Sequence, residues 1–577
     1  MERSWDKLDN YRGKLFEGQW PSICHMFLIT VENFPDRPAF SIFHQKEKTT
    51  LTYKQVYQKV VDVASHLKTN GIKKGERIIL NGKNSPAWAI AYLGILFAEA
   101  TVVPLDNQMS IDRVDALSSF SEASGIFADV DVLQKLAPLS WLASQQLVVE
   151  LDGPSFETIP TSNTLPNPSM LPSGDDIAAI LYTSGTTGNE KGVLLTHANF
   201  TSDVYQASDP EFLRITEEDV MYALLPLHHS YCMTAVFLGA LKHGCELLFG
   251  QGIVVSKVLH DMREAKVTVF LAIPLLYNKL LSGLMKKVKE KGAVAYAFIR
   301  ILMWINGVQR KVFKINKGKV WFRPLLDGIG MLDNTICISG GGRLSPKTFL
   351  HYQQLGLNFV QGYGLTETAP ILTLNPISRF KIKSEGKVFP LVDMRIADAD
   401  LLGVGEVQVK GPNICLGYYK DPENTKALFT DDGYLKTGDL GFLDKDNYLY
   451  LKGRAKNLIV TEGGKNVYPE EIEDLFQHYG QIEQVLIRGF MANKSARAEG
   501  IEALIHPNAD YYSQNGFTAA QIQNDVEQIV VEVNRKLTAY KKIAKITLVD
   551  EPMAMTSTKK IQRNKVGRTI DRLLGSK

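Results

Sequence analysis

Cysteine is scarce in this chain, net charge is almost absent, and long apolar runs are missing. The five cysteines are far apart and form neither a CxxC pair nor a cluster with histidines. They predict no disulfide framework and no zinc site, and they favour a reducing compartment. The 65 basic and 62 acidic residues leave a formal charge of +3, too small to indicate nucleic-acid binding. No apolar run approaches the roughly 20 residues that span a bilayer, and the polar N-terminus has no signal-peptide core. We therefore expect a soluble, cytoplasmic protein that binds no nucleic acid.

The 577 residues have an ordinary globular composition and are numerous enough for more than one domain. Strand-like runs alternate with helical patterns, which is typical of α/β layers with partly parallel sheets. The predicted strands are 77–80, 147–151, 177–182, 267–273, 335–339 and 405–410, and the predicted helices are 51–70, 87–99 and 256–265. Near 451–456 a short polar joint separates a large N-terminal region from a small C-terminal domain with its own strand and helix signals.

Residues 286–323 are unusually basic. They contain eleven lysines and arginines and one acid, Glu290, around a mostly apolar segment at 294–308. Basic flanks beside an aromatic and apolar segment suit the surface of an anionic membrane. The same composition is typical of a solvated helical hairpin whose apolar face packs on the body of the protein. The sequence leaves both interpretations open.

A loop rich in threonine, serine and glycine follows the strand predicted at 177–182. Residues 180–193 read ILYTSGTTGNEKGV. Glycines let the backbone approach an anion, while hydroxyls, backbone N–H groups and one lysine supply donors and a charge. This chemistry favours a polyphosphate ligand, although the loop is not a Walker sequence and 362–367 is not a GxGxxG motif. The candidate phosphate-binding residues are Thr183, Ser184, Gly185, Thr186, Thr187, Gly188 and Lys191.

Further motifs follow this loop along the chain. They are LPLHH at 225–229, QGYGLTET at 361–368, YLKTGD at 434–439, GRAK at 453–456, GGKNVYP at 463–469 and TSTKKIQR at 556–563. Together they resemble the motifs of the acyl-adenylate-forming superfamily, which includes acyl-CoA synthetases, peptide-synthetase adenylation domains and firefly-type luciferases. The resemblance covers roughly residues 30–570. It implies an α/β fold with a large N-terminal region of layered αβ subdomains, 1–452, a hinge, 453–456, and a small mobile α+β C-terminal domain, 457–577.

The resemblance implies that the phosphate end of ATP lies against the loop between Thr183 and Lys191. Adenylation builds negative charge on phosphate oxygens, so cations and oriented donors are its main requirement. Glu367 would ligate Mg²⁺, a hard cation that prefers carboxylate and phosphate oxygens. Thr366 would donate to the α-phosphate.

The resemblance also assigns residues around the nucleoside. Tyr363 would lie against the adenine, and Asp439 and Arg454 would hold the ribose hydroxyls. Lys560 would bridge the substrate carboxylate, the ribose and the α-phosphate as the catalytic lysine of the tail. The loop that would line both the nucleotide and the acyl group consists of Gly340, Gly341 and Gly342.

The acyl and thiol sites rest on fewer residues. The candidate acyl-site residues are His229, Gly341 and Gly342. A single histidine is more often a core residue whose ring nitrogens are hydrogen-bonded within the protein. His228 has no assigned role. Attack of a thiol on the acyl-adenylate needs a channel in place of Lys560. In the family the C-terminal domain rotates about a hinge, here Lys456. The rotation would bring the CoA channel residues Gly463 and Gly464 to the active site.

Departures from the family pattern bear on the substrate. Glu190 replaces the proline usual before the loop lysine, and we expect its side chain to point outward. Lys559 replaces the glycine usual before the tail lysine, as in long-chain fatty acyl-CoA synthetases, and the basic insertion at about 283–330 points the same way. We therefore expect a long-chain fatty-acid–CoA ligase that uses ATP, Mg²⁺ and CoA, with 286–323 as a candidate contact to the inner face of a membrane. The alternatives are an aryl or short branched acid, an acyl-carrier-protein or acyl-AMP ligase, and a non-catalytic acyl- or nucleotide-binding scaffold.

Overall fold

The computed structural model describes residues 3–145, 147–163, 167–183, 190–252, 254–332, 334–461, 464–493, 498–556, 560–563 and 565–566. The helices, in chain order, are α1 Ile23–Asn33, α2 Tyr53–Thr69, α3 Pro86–Phe97, α4 Ile111–Phe120, α5 Val130–Leu136, α6 Ser140–Ala143, α7 Pro154–Glu157, α8 His197–Ala207, α9 Ser230–Cys232, α10 Gly239–His243, α11 Val255–Glu264, α12 Pro274–Glu290, α13 Ala293–Val312, α14 Gly318–Trp321, α15 Arg323–Asp327, α16 Pro346–Gln354, α17 Pro422–Leu428, α18 Pro469–Phe476, α19 Ala509–Gln514 and α20 Ala519–Arg535. Among these helices none is long and apolar enough to cross a bilayer.

The strands, in chain order, are β1 Pro38–His44, β2 Glu47–Thr52, β3 Arg77–Asn81, β4 Thr101–Pro104, β5 Ala123–Ala128, β6 Leu147–Glu150, β7 Ile177–Thr183, β8 Lys191–Thr196, β9 Val220–Ala223, β10 Glu246–Phe249, β11 Val269–Ala272, β12 Ile336–Ser339, β13 Asn358–Gly364, β14 Ile371–Leu374, β15 Gly386–Val388, β16 Asp393–Ala397, β17 Gly405–Lys410, β18 Gly417–Tyr418, β19 Leu435–Leu443, β20 Tyr448–Arg454, β21 Ile459–Val460, β22 Asn466–Val467, β23 Ile482–Asn493, β24 Ala498–Pro507 and β25 Lys545–Leu548. The six predicted strands correspond to β3, β6, β7, β11, β12 and β17, and the three predicted helices to α2, α3 and α11. These predictions, and the α/β fold class, are confirmed.

The first sheet has the strand order β18-β8-β7-β4-β3-β5-β6 in the described chain. Its strands from β7 to β6 are parallel, and their apolar runs are buried because helices cover them. The adjacent α3 begins after Ser85, whose hydroxyl accepts from the Trp88 backbone, and nearly every later side chain of α3 is buried. β7 and β8 are antiparallel, so the candidate phosphate loop joins two neighbouring strands.

The second sheet has the described order β16-β17-β19-β20-β15-β14-β13-β12-β11-β9-β10-β1-β2. Its strands from β13 to β10 are parallel, whereas those from β14 to β16 are antiparallel. The carboxyl ends of parallel neighbours meet at one edge of a sheet, where ligands of α/β proteins bind. The segments that follow β9, β12 and β13 are therefore brought together, and these segments carry three of the sequence motifs.

The C-terminal part has its own core. β20 ends at Arg454, a 3₁₀ turn follows at Ala455–Asn457, and β21 begins the last group of strands. This part encloses a separate cluster that includes Ile487, Ile505 and Val526. It docks on the large region where Nε of Arg343 lies 2.9 Å from Oδ2 of Asp474. The predicted hinge residues therefore lie between two packed bodies.

The basic segment forms most of a helical hairpin, α12 and α13, followed by α14. Within α13 only Met303 and Asn306 are buried. The helix turns these residues and Gly307 towards α16, where a Cβ at Gly307 would lie 3.0 Å from Gln354. The helical hairpin is confirmed, but only part of its apolar surface packs on the body. Met303 belongs to the main core with Ile299 and Leu302 packed against it, whereas the other side of α13 points away from α16 and is exposed.

Candidate active site

Two ion-paired and hydrogen-bonded residues on β19 and β20 anchor the nucleoside side of the site. Asp439 and Arg454 are paired across the two strands, and Nε of Arg454 lies 2.7 Å from Oδ1 of Asp439. The Tyr363 hydroxyl, at the carboxyl end of β13, donates to Oδ2 of Asp439 at 2.6 Å. Burial raises the pKa of Asp439, while Arg454 and Tyr363 act in the opposite direction. The three predicted nucleoside residues thus form one connected group.

The tail lysine joins this group from the C-terminal domain. The Thr556 backbone N–H donates to the Lys560 carbonyl at 2.8 Å. Lys560 keeps solvent-accessible surface, but protein surrounds it, and loss of solvation lowers the pKa of its ammonium group. The charge of Arg454 lowers that pKa further, and Asp439 raises it. Residues more than a hundred positions apart therefore share one electrostatic environment.

A tyrosine that the motifs did not single out links the loop lysine to the candidate metal ligand. Nζ of Lys191 donates to Oδ1 of Asn424 at 2.6 Å and lies 4.8 Å from the centre of the Tyr418 ring. The Tyr418 hydroxyl donates to Oε1 of Glu367 at 3.0 Å. Burial and the Glu367 charge raise the pKa of Tyr418, so its hydroxyl stays protonated. Tyr418 thus holds a cation on its face and a carboxylate at its edge.

The phosphate loop is described only at its two ends. Thr183 pairs with Lys191 in the β7–β8 ladder, and its hydroxyl donates to the Lys191 carbonyl at 3.4 Å. The other candidate loop residues, Ser184, Gly185, Thr186, Thr187 and Gly188, lie outside the described residues. Glu190 forms an ion pair with Arg113 on α4. Its carboxylate is therefore directed at a cation on a neighbouring helix.

Two adjacent histidines follow β9 and lie on the other side of the site. Burial lowers the pKa of His229 to about 3, and His228 and Lys560 lower it as well. The ring centres of His228 and His229 are 4.3 Å apart, and Nε2 of His228 lies 3.6 Å from Oδ2 of Asp106. His229 is consequently a neutral imidazole at neutral pH, within the electrostatic reach of Lys560.

Thr366 lies between the histidine segment and the metal-ligand candidate. It begins the short 3₁₀ turn Thr366–Thr368, which also carries Glu367 and follows directly on β13. The Ser230 hydroxyl donates to Oγ1 of Thr366 at 3.3 Å. The end of β13 and the start of α9 are therefore in direct contact.

The glycine loop after β12 is packed against an aromatic ring. A Cβ at Gly340 would lie 2.6 Å from the Tyr231 ring, and Gly341 has a φ of +73°, where glycine is favoured. The Tyr231 hydroxyl donates to the Ile338 carbonyl at 3.3 Å. Gly342 contacts Pro274, whose ring lies 3.6 Å from the position of its Cβ. Backbone and Tyr231 together form the wall at this edge of the sheet.

Four apolar residues on α10, on β11 and in the segment before α10 are candidates for an acyl pocket by composition, but they lie in the main core. They are at most 1% exposed, and they are Leu238, Leu241, Val269 and Leu271. Core packing accounts for them fully. Tyr231, by contrast, is only partly buried and borders the glycine loop, so it is a better candidate for contact with an acyl chain.

The hinge and channel candidates lie in the joint. Lys456 is exposed within the 3₁₀ turn, and loss of solvation and Arg454 lower its pKa. Gly464 has a φ of +67° and open space around it, in the turn that Thr461 and Lys465 close by backbone hydrogen bonds. Gly463 lies outside the described residues. An exposed turn that carries no core side chain is suited to a large change of backbone angles.

Residues 27–419 match the AMP-binding enzyme family. The chain belongs to this family. The match contains the phosphate loop, the histidine segment and the Tyr363–Glu367 segment, whereas Asp439, Arg454 and Lys560 follow it in the chain. The hydrogen bond from Tyr363 to Asp439 therefore joins a residue inside the matched region to one beyond it.

Relatives in the AMP-binding enzyme family include two ligases with different acceptors. The chain is 26% identical to a Bacillus subtilis protein named long-chain-fatty-acid–CoA ligase, over 94% of this chain and 92% of that protein. It is 25% identical to the Arabidopsis thaliana protein named long-chain-fatty-acid–[acyl-carrier-protein] ligase AEE15, chloroplastic, over 96% and 86%. The crystal structure of ATP-bound MatB from Rhodopseudomonas palustris shares the fold, with a TM-score of 0.75 and 24% identity over 95% and 99%. Family membership makes this chain an adenylate-forming ligase that joins an acid to a thiol.

The sequence motifs did not identify three residues of the candidate site. Tyr418, Asp106 and Tyr231 belong to no motif quoted above, and their neighbours in the chain give no spacing signal. Each becomes visible only through a contact with a distant residue: Glu367, His228 and Gly340, respectively. Tyr231 does follow the histidine motif closely, and Tyr418 ends the short strand before α17; these positions are the one signal that could have drawn attention to them.

Proposed function

We propose that this enzyme activates a long-chain fatty acid with ATP and transfers the acyl group from acyl-AMP to CoA, releasing pyrophosphate and AMP. One observation carries the proposal. Lys560 of the C-terminal tail lies in the same electrostatic environment as Asp439 and Arg454 of the large region. An enzyme that joins two anions, a carboxylate and a phosphate, needs a cation at the place where they meet. Lys560 of the second domain would supply this cation next to the candidate nucleoside residues Asp439 and Arg454.

In the first half-reaction a carboxylate oxygen of the acid attacks the α-phosphorus of ATP, and the bond from that phosphorus to pyrophosphate breaks. Both reactants are anionic, so positive charge near the α-phosphate lowers the barrier. Lys560 is the candidate for that charge, and Lys191 is the candidate for the leaving pyrophosphate. The low solvation around Lys560 strengthens its attraction for developing negative charge.

Glu367 fits the role of a Mg²⁺ ligand. Its carboxylate accepts from Tyr418 through Oε1, and Oε2 has no hydrogen bond within the described part of the chain. A bound Mg²⁺ would neutralise phosphate charge. The variant Glu367→Gln keeps the shape and the Tyr418 contact but removes the negative charge, so we expect it to raise the Mg²⁺ concentration needed for half-maximal turnover about tenfold or more. Glu423→Gln, on α17, is the control, and an unchanged Mg²⁺ response of Glu367→Gln would refute the assignment.

His229 is the proposed residue of the acyl side. Because its pKa is lowered to about 3, it adds no positive charge that would compete with Lys560 for the substrate carboxylate. The acyl chain would then run past the glycine loop and Tyr231. Each additional CH₂ that is buried would improve the binding free energy by about 0.8 kcal/mol, so the enzyme would select chain length mainly through binding affinity.

In the second half-reaction the CoA thiol attacks the acyl carbon, and AMP leaves. Lys560 occupies the region where the thiol would have to enter, so the C-terminal domain must move first. We propose Lys456 as the residue about which it turns, and the Gly463–Gly464 turn as the wall of the thiol channel. The open space around Gly464 supports this role.

An acyl-carrier-protein ligase is the second candidate function. The Arabidopsis relative with a carrier protein in its name is nearly as similar to this chain as the Bacillus relative with CoA. Both reactions share the adenylation half, so the residues around Asp439 do not separate them.

The test is mass spectrometry of products after incubation with ATP, Mg²⁺ and a pooled panel of short, aryl, medium and long carboxylic acids. Parallel reactions contain CoA, a phosphopantetheinylated carrier protein, or no thiol. We expect long-chain acyl-CoA and AMP. If the products include an acylated carrier protein but no acyl-CoA, the acceptor is the carrier protein and not CoA. If the thioester product is an aryl or short-chain acyl-CoA, the proposed long-chain acid is wrong. Absence of any acyl-AMP or thioester would refute the proposed function.

A further inference from the structure

An uninterrupted apolar stripe runs along the outer face of α13. Val294, Phe298, Ile301, Trp304, Val308 and Val312 recur at intervals of three or four residues, so they share one side of the helix. Their side chains are between 38% and 85% exposed. Phe313, Ile315 and Val320 extend the apolar surface beyond the helix and are 48% to 75% exposed. A contiguous surface patch of nine exposed apolar side chains is typical of an interaction site.

The opposite face of α13 holds the stripe in this orientation. Nδ2 of Asn306 donates to the Gln354 carbonyl at 2.9 Å, and its Oδ1 accepts from the Lys317 and Gly318 backbones. Nη1 of Arg310 donates to the Leu357 carbonyl at 2.8 Å. These polar contacts and the buried side chain of Met303 attach the helix to the body by the face opposite the stripe. The exposure of the stripe is therefore built into the packing of the helix.

Lysines stand at both ends of the stripe. Four exposed lysines lie at the end of α12 and the turn before α13: Lys286, Lys287, Lys289 and Lys291. Three more follow at the far end: Lys311, Lys314 and Lys317. No acidic partner lies within 4.0 Å of any of these seven among the residues that the structure describes. The positive charge is consequently available to an external anion.

We propose that α13 lies flat on the surface of a bilayer that contains anionic lipids, with the stripe at the level of the acyl chains and the lysines among the head groups. A helix of 20 residues is about 30 Å long, so the stripe covers many lipids at once. An amphipathic helix with aromatic residues on one face and lysines at its borders binds an interface in this way. A second copy of this chain is disfavoured as the occupant, because pairing two such faces would bring their lysines together.

The proposal is independent of which acid the enzyme activates. Full-length protein is sedimented with vesicles of neutral phosphatidylcholine, or of phosphatidylcholine with a quarter phosphatidylglycerol. We expect binding to the anionic vesicles that falls steeply with added salt, and much weaker binding to the neutral ones. The double variant Phe298→Ser/Trp304→Ser should lose at least tenfold in binding, and Lys311→Glu/Lys314→Glu about tenfold or more. The control is Leu401→Ser/Leu402→Ser, at two leucines in the turn between β16 and β17 that are even more exposed than Phe298 and Trp304.

Insertion is measured separately with brominated lipids, which quench a tryptophan that reaches the acyl chains. Quenching in the wild type that disappears in Trp304→Phe places Trp304 in the bilayer. All variants should keep the wild-type thermal midpoint and the wild-type rate with a short, freely soluble acid, since the stripe has no contact with the site. Equal binding of the wild type to neutral and anionic vesicles, equal binding of the stripe variant and the leucine control, or self-association abolished by Phe298→Ser/Trp304→Ser would overturn the proposal.

Discussion

At the scale of single residues, the site places each ionisable group beside a partner that keeps it in one state. Burial raises the pKa of Asp439, and the Tyr363 hydroxyl and Arg454 oppose this rise by stabilising the carboxylate. Burial keeps His229 neutral. Tyr418 stays protonated beside Glu367. Each charge is thus set before a substrate arrives, which is how electrostatic stabilisation avoids a reorganisation cost during reaction.

The variant Lys560→Ala separates the two half-reactions. It removes the cation that the tail adds to the electrostatic environment of Asp439 and Arg454, so we expect acyl-adenylate formation to fall by about 10²- to 10³-fold. Thioester formation from supplied acyl-AMP should stay close to the wild-type rate, because the lysine has to leave before the thiol enters. The measurement is single-turnover kinetics of each step. Lys565→Ala, on the same tail, is the control, and equal losses in both steps of Lys560→Ala would contradict the assignment.

Tyr418→Phe tests a positioning role. The ring remains under Lys191, but Glu367 loses the hydroxyl at 3.0 Å that orients its carboxylate. Outer partners of this kind change metal affinity or activity by about 10- to 100-fold. We expect the Mg²⁺ concentration for half-maximal adenylation to rise about tenfold.

The control for Tyr418→Phe is the next residue. Tyr419→Phe removes a hydroxyl that donates to the Ser121 carbonyl, away from Glu367, so its Mg²⁺ dependence should match the wild type. A Mg²⁺ curve of Tyr418→Phe that overlays the wild type, with the same loss of stability in both variants, would show a purely structural role.

At the scale of elements, the site is built where strand ends converge and where two antiparallel strands face each other. β9, β12 and β13 deliver the histidines, the glycine loop and Tyr363 to one edge of the second sheet. The β19–β20 ladder places Asp439 opposite Arg454. Immediately after Arg454 the ladder gives way to the exposed turn at Ala455–Asn457. The rigid ladder holds the nucleotide residues, and the turn beside it is free of core packing.

Lys456→Pro tests the hinge at this turn. A 3₁₀ residue and a proline share a φ near −60°, so the docked arrangement and the first half-reaction should persist. The large change of backbone angles needed for the second half-reaction is closed to proline. We expect acyl-AMP to accumulate, with thioester formation reduced about 100-fold or more. Lys456→Ala is the control and should form thioester normally, whereas a block of adenylation in Lys456→Pro would place the hinge elsewhere.

At the scale of the whole molecule, buried neutral histidines couple stability to pH. His197 accepts a hydrogen bond from the Ile23 backbone through Nδ1 at 3.2 Å, and burial lowers its pKa to about 3. The unfolded chain binds a proton at this histidine near pH 6.5, whereas the folded chain does not until about pH 3. Stability is therefore lost as pH falls below about 6.5, by on the order of a few kcal/mol for this group.

His197→Gln should flatten this pH dependence. Glutamine can accept the Ile23 hydrogen bond through its amide oxygen and does not titrate. We expect a lower stability at pH 7, but a smaller further loss between pH 6.5 and 4, measured as the shift of the urea unfolding midpoint. His44→Gln, at an exposed position, should reproduce the wild-type slope. A slope of His197→Gln as steep as the wild type would assign the acid sensitivity to other groups.

Much of the fold and part of the site were predictable. The runs that became β3, β7, β12 and α3 could be predicted because a buried strand or helix shows its apolar period locally. The motif residues could be named because their order along the chain resembles a family. Tyr231 and Tyr418 could not, since each acts through a contact with a residue far away in the chain, and no periodicity records such contacts.

By itself the sequence determined the element order, the α/β class and the set of motif residues, because these depend on side-chain chemistry and short-range spacing. Only the tertiary structure decided that Tyr418 bridges Lys191 and Glu367, and that Lys560 meets Asp439 and Arg454. It also decided which face of α13 is exposed: the sequence admitted both a packed and an outward apolar face. The physical reason is the same in each case. Which groups become neighbours, and which face a helix turns inward, depends on how elements distant in the chain fill space against one another.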